Sequence, residues 1–177
     1  MTTSFDQAVA VILRLEGGPS NDPDDAGKRT KFGISERAHP DVDIDALTRE
    51  RAIEIYRSHY WSPVRGDQLP LPLAFVLFDA AVNQGPDIAA RLLQQVLRVE
   101  VDGVIGAETV AAARRAGAET VIAFLERRLA RYEEIVVRRP VQLKYLKGWR
   151  QRVLRIHREA VKLEPAAESK HENGGSQ

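Results

Sequence analysis

Glu16 is the residue of this sequence best placed to do chemistry. It follows Val9 and Ile12 at helical spacing, which predicts that its carboxyl lies on the apolar face at the end of the first helix. Burial and the negative end of the helix dipole would both raise the pKa of that carboxyl. A carboxyl that stays protonated near neutral pH is the proton donor that glycosidic bond cleavage requires. A structural Glu paired with an Arg is the alternative that residue type alone leaves open.

A second group must orient water or support the transition state if Glu16 is a glycosidase acid. Residues 19–31 are rich in Pro, Asp, Asn and Gly and lack periodicity, which predicts a long loop directly after Glu16. Asp25 and Thr30 are the residues predicted to orient water. Loop Asp residues commonly form turns instead.

Helical periodicity predicts the elements that must position these groups. Gly17 and Gly18 end the first helix, whose capping box is predicted at Ser4 and Gln7. A nearly all-apolar helix over 73–82 is expected at the centre, ending at Gly85, and Asp87 is expected to cap the next helix. Further helices are predicted over 48–60, 88–97, 108–116 and 118–137, with a last basic helix after Pro140.

Composition points to one mainly α globule with two lobes around a cleft. The chain has 177 residues, of which 44% are hydrophobic and 29% charged, and no apolar run approaches a membrane span. Residues 164–177 contain no core-forming pattern and are predicted to be a disordered tail.

Several function classes lack their signatures. Cysteine is absent, and His39, His59, His157 and His171 show no ligand-pair spacing, so neither a metal site nor a cofactor is predicted. The sequence also has no Gly-x-Ser-x-Gly elbow and no phosphate-binding Gly loop.

The sequence around Glu16 resembles the motif of a known family. The run from Leu15 to Ser35, LEGGPSNDPDDAGKRTKFGIS, is similar to the opening motif of glycoside hydrolase family 108, the N-acetylmuramidases of phage endolysins and bacterial cell-wall enzymes. Further matches in family order are Tyr60-Trp61, GDQLP at 66–70, FDAAVNQG at 78–85, VDGVIGAET at 101–109 and GWRQRV at 148–153. Pro19 and Lys28 depart from the family pattern.

The resemblance implies a fold and separate functions for its two lobes. The fold would be lysozyme-like, with a catalytic lobe over residues 1–70 and a helical peptidoglycan-binding lobe over residues 71–163. Glu16 would be the catalytic acid of a muramidase that cleaves the β-1,4 bond after N-acetylmuramic acid. A lytic transglycosylase and a non-catalytic cell-wall or envelope-binding module remain the alternatives.

Matched polar and aromatic positions are the candidates for substrate binding. Asn83 and Gln84 would reach sugar hydroxyls or N-acetyl groups, or else cap the buried helix. Tyr60 and Trp61 would stack on a sugar face, or else close the core. Asp79, within an apolar helix, must find a partner or line the cleft. Asn21 and Asp22, in the loop motif, complete the predicted set.

Charge along the chain is asymmetric. Residues 127–158 carry eleven Lys or Arg against Glu133 and Glu134, a local charge of +9, whereas the whole chain carries +1. Arg150, Arg152 and Arg155 are therefore predicted to contact anionic outer-membrane lipid, the alternative being a solvated helix face. No nucleic-acid partner is predicted, and a monomer is expected. Because residues 1–6 do not resemble a secretory signal, we expect synthesis in the host cytoplasm and action on periplasmic peptidoglycan after release by another factor.

Overall fold

The computed structural model describes residues 2–16 and 30–163. Its elements are α1 (Ser4–Glu16), β1 (Thr30–Lys31), β2 (Ile34–Ser35), α2 (Arg49–Tyr56), a π-helical turn (Arg57–Trp61), a 3-10 turn (Gly66–Gln68), α3 (Leu71–Gln84), α4 (Pro86–Leu97), α5 (Ala107–Arg115), α6 (Glu119–Arg138), a second 3-10 turn (Pro140–Gln142) and α7 (Leu143–Lys162). The mainly α class predicted from sequence is confirmed over this part of the chain. The predicted tail, residues 164–177, lies outside the described residues, and the lobe boundary at residue 70 stays a prediction.

Helix α3 is the centre of the fold. Every residue from Leu73 to Ala81 is buried, including Asp79, as expected for an element that other helices surround. It contacts α1, α4, α6 and α7, together with the π-helical turn and the first 3-10 turn. A polar side chain on α3 is therefore fixed in position by its neighbours, and the last turn of α3 emerges where α6 and α7 pack against it.

Three local predictions are corrected by the structure. The capping box of α1 is formed by Thr3 and Asp6, whose side chains each accept the other's backbone N–H, rather than by Ser4 and Gln7. The helix after Thr48 is α-helical only to Tyr56 and then widens into a π-helical turn. Asp87 does not cap α4, because the helix begins at Pro86 with Gly85 as its N-cap, and Asp87 instead pairs with Arg91.

The segment after residue 29 also differs from the prediction of a loop to residue 31. Thr30–Lys31 pairs antiparallel with Ile34–Ser35 in a short hairpin. Its turn residues Phe32 and Gly33 both have positive φ, as a two-residue hairpin turn of this type requires. Propensity alone misses so short a strand pair, and packing against Tyr56, whose hydroxyl donates to the carbonyl of Phe32, stabilises it.

The loop between α4 and α5 turns at Asp102-Gly103. Gly103 has φ +83°, and its N–H donates to the buried side chain of Gln94, which in turn donates to Asp102. Arg91 donates to the carbonyls of Val101 and Asp102. These contacts hold the loop between α4 and α5 against α4.

Candidate active site

A polar groove begins beside the end of α1, runs between α3 and α7, and continues along α6. Its first part has a volume of about 210 Å³ and is lined by Leu15, Asn83, Gly148, Trp149, Arg152 and Arg155. A second part of about 310 Å³ shares Asn83 and Trp149 and continues along Gln84, Ile88, Arg131, Tyr132, Ile135, Arg139 and Gln142. We call the two parts together the groove. Because Leu15 lines it, the C-terminal end of α1 lies at one end of the groove.

Asp79 and Arg128 form a fully buried ion pair under the groove. Arg128 Nη1 lies 2.6 Å from Asp79 Oδ2, and both side chains are 0% exposed. Arg152 of α7 donates to the other carboxylate oxygen at 2.7 Å. Burial alone would raise the pKa of Asp79, but the two guanidinium groups outweigh it and hold the pKa below its usual value. The predicted partner of Asp79 is thus confirmed, and it joins α3 to both α6 and α7.

This ion pair sets the orientation of Asn83. Arg128 Nε donates to the Tyr132 hydroxyl at 3.1 Å, and that hydroxyl donates to Asn83 Oδ1 at 2.7 Å. Because the Arg128 guanidinium can only donate, the Tyr132 hydroxyl accepts from it and donates its own proton to Asn83 Oδ1. The amide NH₂ of Asn83, an exposed residue that lines both parts of the groove, is left to donate outward. A sugar hydroxyl or an N-acetyl carbonyl is a suitable acceptor.

Trp149 provides the apolar surface of the groove. It stacks on Tyr132 with ring centroids 4.7 Å apart and an interplanar angle of 21°, and Tyr145 lies beyond it at 6.0 Å. Its side chain is only partly buried and lines both parts of the groove. A ring that is held by stacking, partly exposed and part of the groove lining can pack against the apolar face of a sugar.

Gln84 lines the second part of the groove. Its Oε1 accepts from Arg131 Nε at 3.2 Å, which fixes the side-chain amide. Its Nε2 is enclosed and has no hydrogen-bond acceptor among the described residues. An enclosed amide donor without an acceptor carries a free-energy cost in the folded protein.

The three arginines predicted to contact an anionic envelope have different surroundings. The prediction that Arg152 contacts the envelope is corrected. Its guanidinium pairs with the buried carboxylate of Asp79, and its side chain is 21% exposed. Arg150 pairs with Glu133 at 2.7 Å on the surface. Arg155 is exposed, lines the first part of the groove, and forms no ion pair with another described residue. Of the three, Arg155 is the cation available to a ligand in the groove.

Thr30 and Tyr60 lie in a second cluster around the hairpin, and neither lines the groove. Thr30 begins β1 and is partly buried. The Tyr60 hydroxyl lies 2.9 Å from Nε2 of buried His39, and burial raises the pKa of Tyr60. The His59 ring lies 5.1 Å from His39, and burial together with His59 lowers the pKa of His39.

The prediction that Trp61 stacks on a sugar is also corrected by the structure. Its side chain is 0% exposed and packs against Phe5 and Phe78, with ring centroids 5.6 and 5.4 Å away. Gly66 covers the indole so closely that a Cβ there would overlap the ring. A sugar cannot reach a ring that the core encloses, so Trp61 serves packing rather than substrate binding.

The remaining predicted residues fall outside what the structure describes. Glu16 is the last residue of α1, but its side chain, and all of Asn21, Asp22 and Asp25, lie outside the described residues. Their predicted roles stay predictions. Within residues 2–16 and 30–163, no group of three or more His, Asp or Glu could hold a metal ion, and no helix is long and apolar enough to cross a membrane.

One other cavity is unlike the groove. It has a volume of about 300 Å³ and lies between the start of α3, the end of α5 and the start of α6. Every lining residue is apolar or glycine: Pro70, Pro72, Leu73, Ala113, Ala116, Gly117, Ala118 and Val121. Without polar side chains it is poorly suited to hold a saccharide, which needs several hydrogen-bond partners.

The helical bundle and its polar groove define a mainly α, lysozyme-like fold. A family model described as glycosyl hydrolase 108 matches residues 9–85, and one described as a predicted peptidoglycan domain matches residues 88–154. A solved structure described as that of Brucella abortus SagA is 33% identical, with a TM-score of 0.79 over 92% of this chain and 97% of that chain. A comparison with curated proteins gave no match.

The chain therefore belongs to glycoside hydrolase family 108 and is a peptidoglycan-directed glycoside hydrolase. The resemblance of its motifs to this family is confirmed.

Sequence reasoning missed much of the groove. Tyr132 and Arg128 fit the pattern of an ordinary amphipathic helix, and Trp149 enters the sequence analysis only as part of the GWRQRV match. One signal was available: Asp79 required a cationic partner, and Arg128 is the buried Arg of the next long helix. Which of eleven basic residues would reach Asp79 could not be read from spacing.

Proposed function

We propose that this protein is a lysozyme-type muramidase that hydrolyses the β-1,4 bond between N-acetylmuramic acid and N-acetylglucosamine. One observation carries the proposal: the helix that ends in Glu16 reaches a groove lined by an oriented amide, an aromatic ring and an available cation. These three groups match the N-acetyl groups, sugar faces and carboxylates of peptidoglycan.

In this proposal Glu16 acts as the general acid. Its proton passes to the glycosidic oxygen as the bond to the anomeric carbon breaks. Water, oriented by Asp25 and Thr30, forms the new bond to the anomeric carbon and passes one proton to the carboxylate of Asp25. Exchange with solvent then removes that proton from Asp25 and returns one to Glu16. Asn83 and Trp149 hold the saccharide, while Arg155 faces its acidic substituents.

The test compares wild type with Glu16→Gln on purified peptidoglycan. We expect wild type to release new reducing ends and Glu16→Gln to release none, while both keep the same helical circular dichroism. A Glu16→Gln protein with full activity would remove Glu16 from the mechanism.

Two alternatives give different products. A lytic transglycosylase yields anhydromuramyl ends, which mass spectrometry separates from the reducing ends of hydrolysis. A non-catalytic binding module would sediment with sacculi and leave their turbidity unchanged.

We also propose that the protein is an endolysin, which reaches periplasmic peptidoglycan after another factor releases it. Support comes from its family membership and from motifs that resemble those of phage endolysins. A turbidity assay on chloroform-treated Gram-negative cells, with Glu16→Gln as the inactive control, tests it: lysis by wild type alone supports it.

A further inference from the structure

Four large apolar side chains are exposed where α6 turns into α7. Val137 is 81% exposed, Val141 70%, Leu143 60% and Tyr145 47%, and all four lie within nine consecutive residues. We call residues 137–147 the α6–α7 corner. Single exposed apolar residues are ordinary, but such a concentration at one end of a helix pair marks an interaction surface.

The same corner is strongly basic. Arg138, Arg139, Lys144 and Lys147 are all exposed, and none of them forms an ion pair with another described residue. No Asp or Glu occurs from residue 135 to residue 158. The nearest acids along the chain, Glu133 and Glu134, are already engaged by Arg150 and Arg127. Among residues 2–16 and 30–163, the positive charge of the corner is therefore uncompensated.

The corner is also supported rigidly. Trp149 of α7 stacks on Tyr132 of α6 and also on Tyr145, one of the four exposed residues, so these ring contacts join α7 to α6 at the corner. Lys144 Nζ lies 4.9 Å from the centre of the Tyr145 ring. A surface held in place before binding loses less conformational entropy when it binds.

We propose that the α6–α7 corner binds the surface of an anionic phospholipid membrane. Apolar side chains can enter the boundary between headgroups and acyl chains, while Lys and Arg reach the phosphates. A polar glycan strand offers no environment for Val141 and Leu143. A second copy of the corner would bring four cations against four cations, without an acid to compensate them.

This surface differs from the one expected from sequence. Arg152 is held by Asp79 and Arg150 by Glu133, so two of the three predicted arginines already have protein partners. The corner combines free cations with exposed apolar side chains, and the interfacial mode of binding requires both.

The experiment measures co-sedimentation of the full chain with vesicles. One set contains phosphatidylglycerol mixed with phosphatidylcholine, and the other contains phosphatidylcholine alone. We expect binding to the anionic vesicles only, weakening as salt is raised. The double variant Val141→Asp, Leu143→Asp should lower the affinity at least about tenfold, because it replaces inserted side chains by carboxylates that the lipid repels.

A matched control separates the corner from general hydrophobicity. Val104 and Ile122 are 64% and 51% exposed and lie outside the corner, Ile122 about four turns along α6 from Val137. The double variant Val104→Asp, Ile122→Asp should bind anionic vesicles like wild type. Lys144→Glu with Lys147→Glu should weaken binding and flatten its dependence on salt.

Three results would overturn the proposal: wild type that ignores anionic vesicles at low salt, equal binding by the two aspartate double variants, or self-association of wild type that the corner variant abolishes. Circular dichroism and release of reducing ends from purified peptidoglycan show that each variant is folded. The proposal does not depend on the muramidase assignment, since Glu16→Gln should bind vesicles as wild type does.

Discussion

Asp79 Oδ2 and Arg128 Nη1 lie 2.6 Å apart, and no part of either side chain is exposed to solvent. Arg152 donates to the second carboxylate oxygen from α7. One carboxylate on the central helix thus joins both helices that form the walls of the groove. Removing the carboxylate would leave a buried guanidinium without its counterion, which is a large cost in protein interiors.

Asp79→Ala should therefore lower the free energy of unfolding by roughly 3–5 kcal/mol. Urea denaturation measures the loss. Arg51→Ala serves as the control, because the Arg51–Glu54 pair is about two-thirds exposed on both sides and should contribute less than about 1 kcal/mol. A loss from Asp79→Ala as small as that of the control would contradict the structural role.

Tyr132→Phe should reduce activity on peptidoglycan, because Asn83 loses the hydroxyl that orients its amide. We expect kcat/KM to fall about tenfold, the equivalent of one lost hydrogen bond to substrate. Combining Tyr132→Phe with Asn83→Leu should add little to the effect of Asn83→Leu alone, since both remove the same contact. Tyr145→Phe is the control, because the Tyr145 hydroxyl has no hydrogen-bond partner in the described structure. Full additivity of the two losses would argue against the relay.

Arg155→Gln should raise KM for peptidoglycan whose stem peptides carry free carboxylates and leave KM for peptidoglycan with amidated stem peptides nearly unchanged. The free carboxylates of the stem peptides can pair with Arg155, and amidation converts them into uncharged amides. We expect an increase of about tenfold. Arg158→Gln is the matched control, an exposed Arg on the same helix outside the groove. Equal effects on both substrates would assign Arg155 another role.

The stability of the hairpin region should fall on acidification below about pH 6.5. Burial, together with His59, lowers the pKa of His39 below its usual value. The unfolded chain therefore takes up a proton at a pH where folded His39 remains neutral, so its contribution to stability is complete above pH 6.5 and is lost as the pH falls through the folded pKa. Unfolding free energies at pH 5–8 should show a smaller acid-dependent loss in His39→Gln than in wild type. An unchanged slope would mean that other groups cause the loss.

Replacing each of two glycines by alanine should change the free energy of unfolding in opposite directions. Gly66→Ala places a methyl group against the buried Trp61 ring and should cost about 1–3 kcal/mol. Gly148→Ala lies within α7, where a Cβ meets no atom within 4 Å, and should stabilise by about 0.5–1 kcal/mol through helix propensity. Thermal unfolding of the two variants measures both. Destabilisation by Gly148→Ala would show that helix propensity does not govern that site.

Helix periodicity was sufficient for most of the fold. The apolar run around Leu73 to Val82 predicted the buried central helix, and the predicted ends of the later helices fall within a few residues of those observed. The failures lie at caps and in the π-helical turn. There, competing local hydrogen bonds of similar free energy decide the geometry, and the residue pattern does not rank them.

The sequence predicted only part of the candidate site. Asn83 and Gln84 line the groove, while their contact with substrate stays a prediction. Asp79 has a cationic partner, one of the two possibilities that its place in an apolar helix predicted. Trp61 was assigned to the substrate, yet the structure encloses it in the core. An aromatic side chain after a helix fits either environment, and only the packing of Phe5, Phe78 and Gly66 around the ring excludes the substrate.

The sequence by itself determined the family, the mainly α class, the buried position of Asp79 and the excess of positive charge in the last third of the chain. These properties depend on residue types and on spacing along one helix, which the chain carries locally. The tertiary structure decided which arginines serve the core, that Tyr132 orients Asn83, and that exposed apolar side chains meet free cations at the α6–α7 corner. Such pairings join residues up to 73 positions apart, and only the packing of the helices brings them within hydrogen-bonding distance.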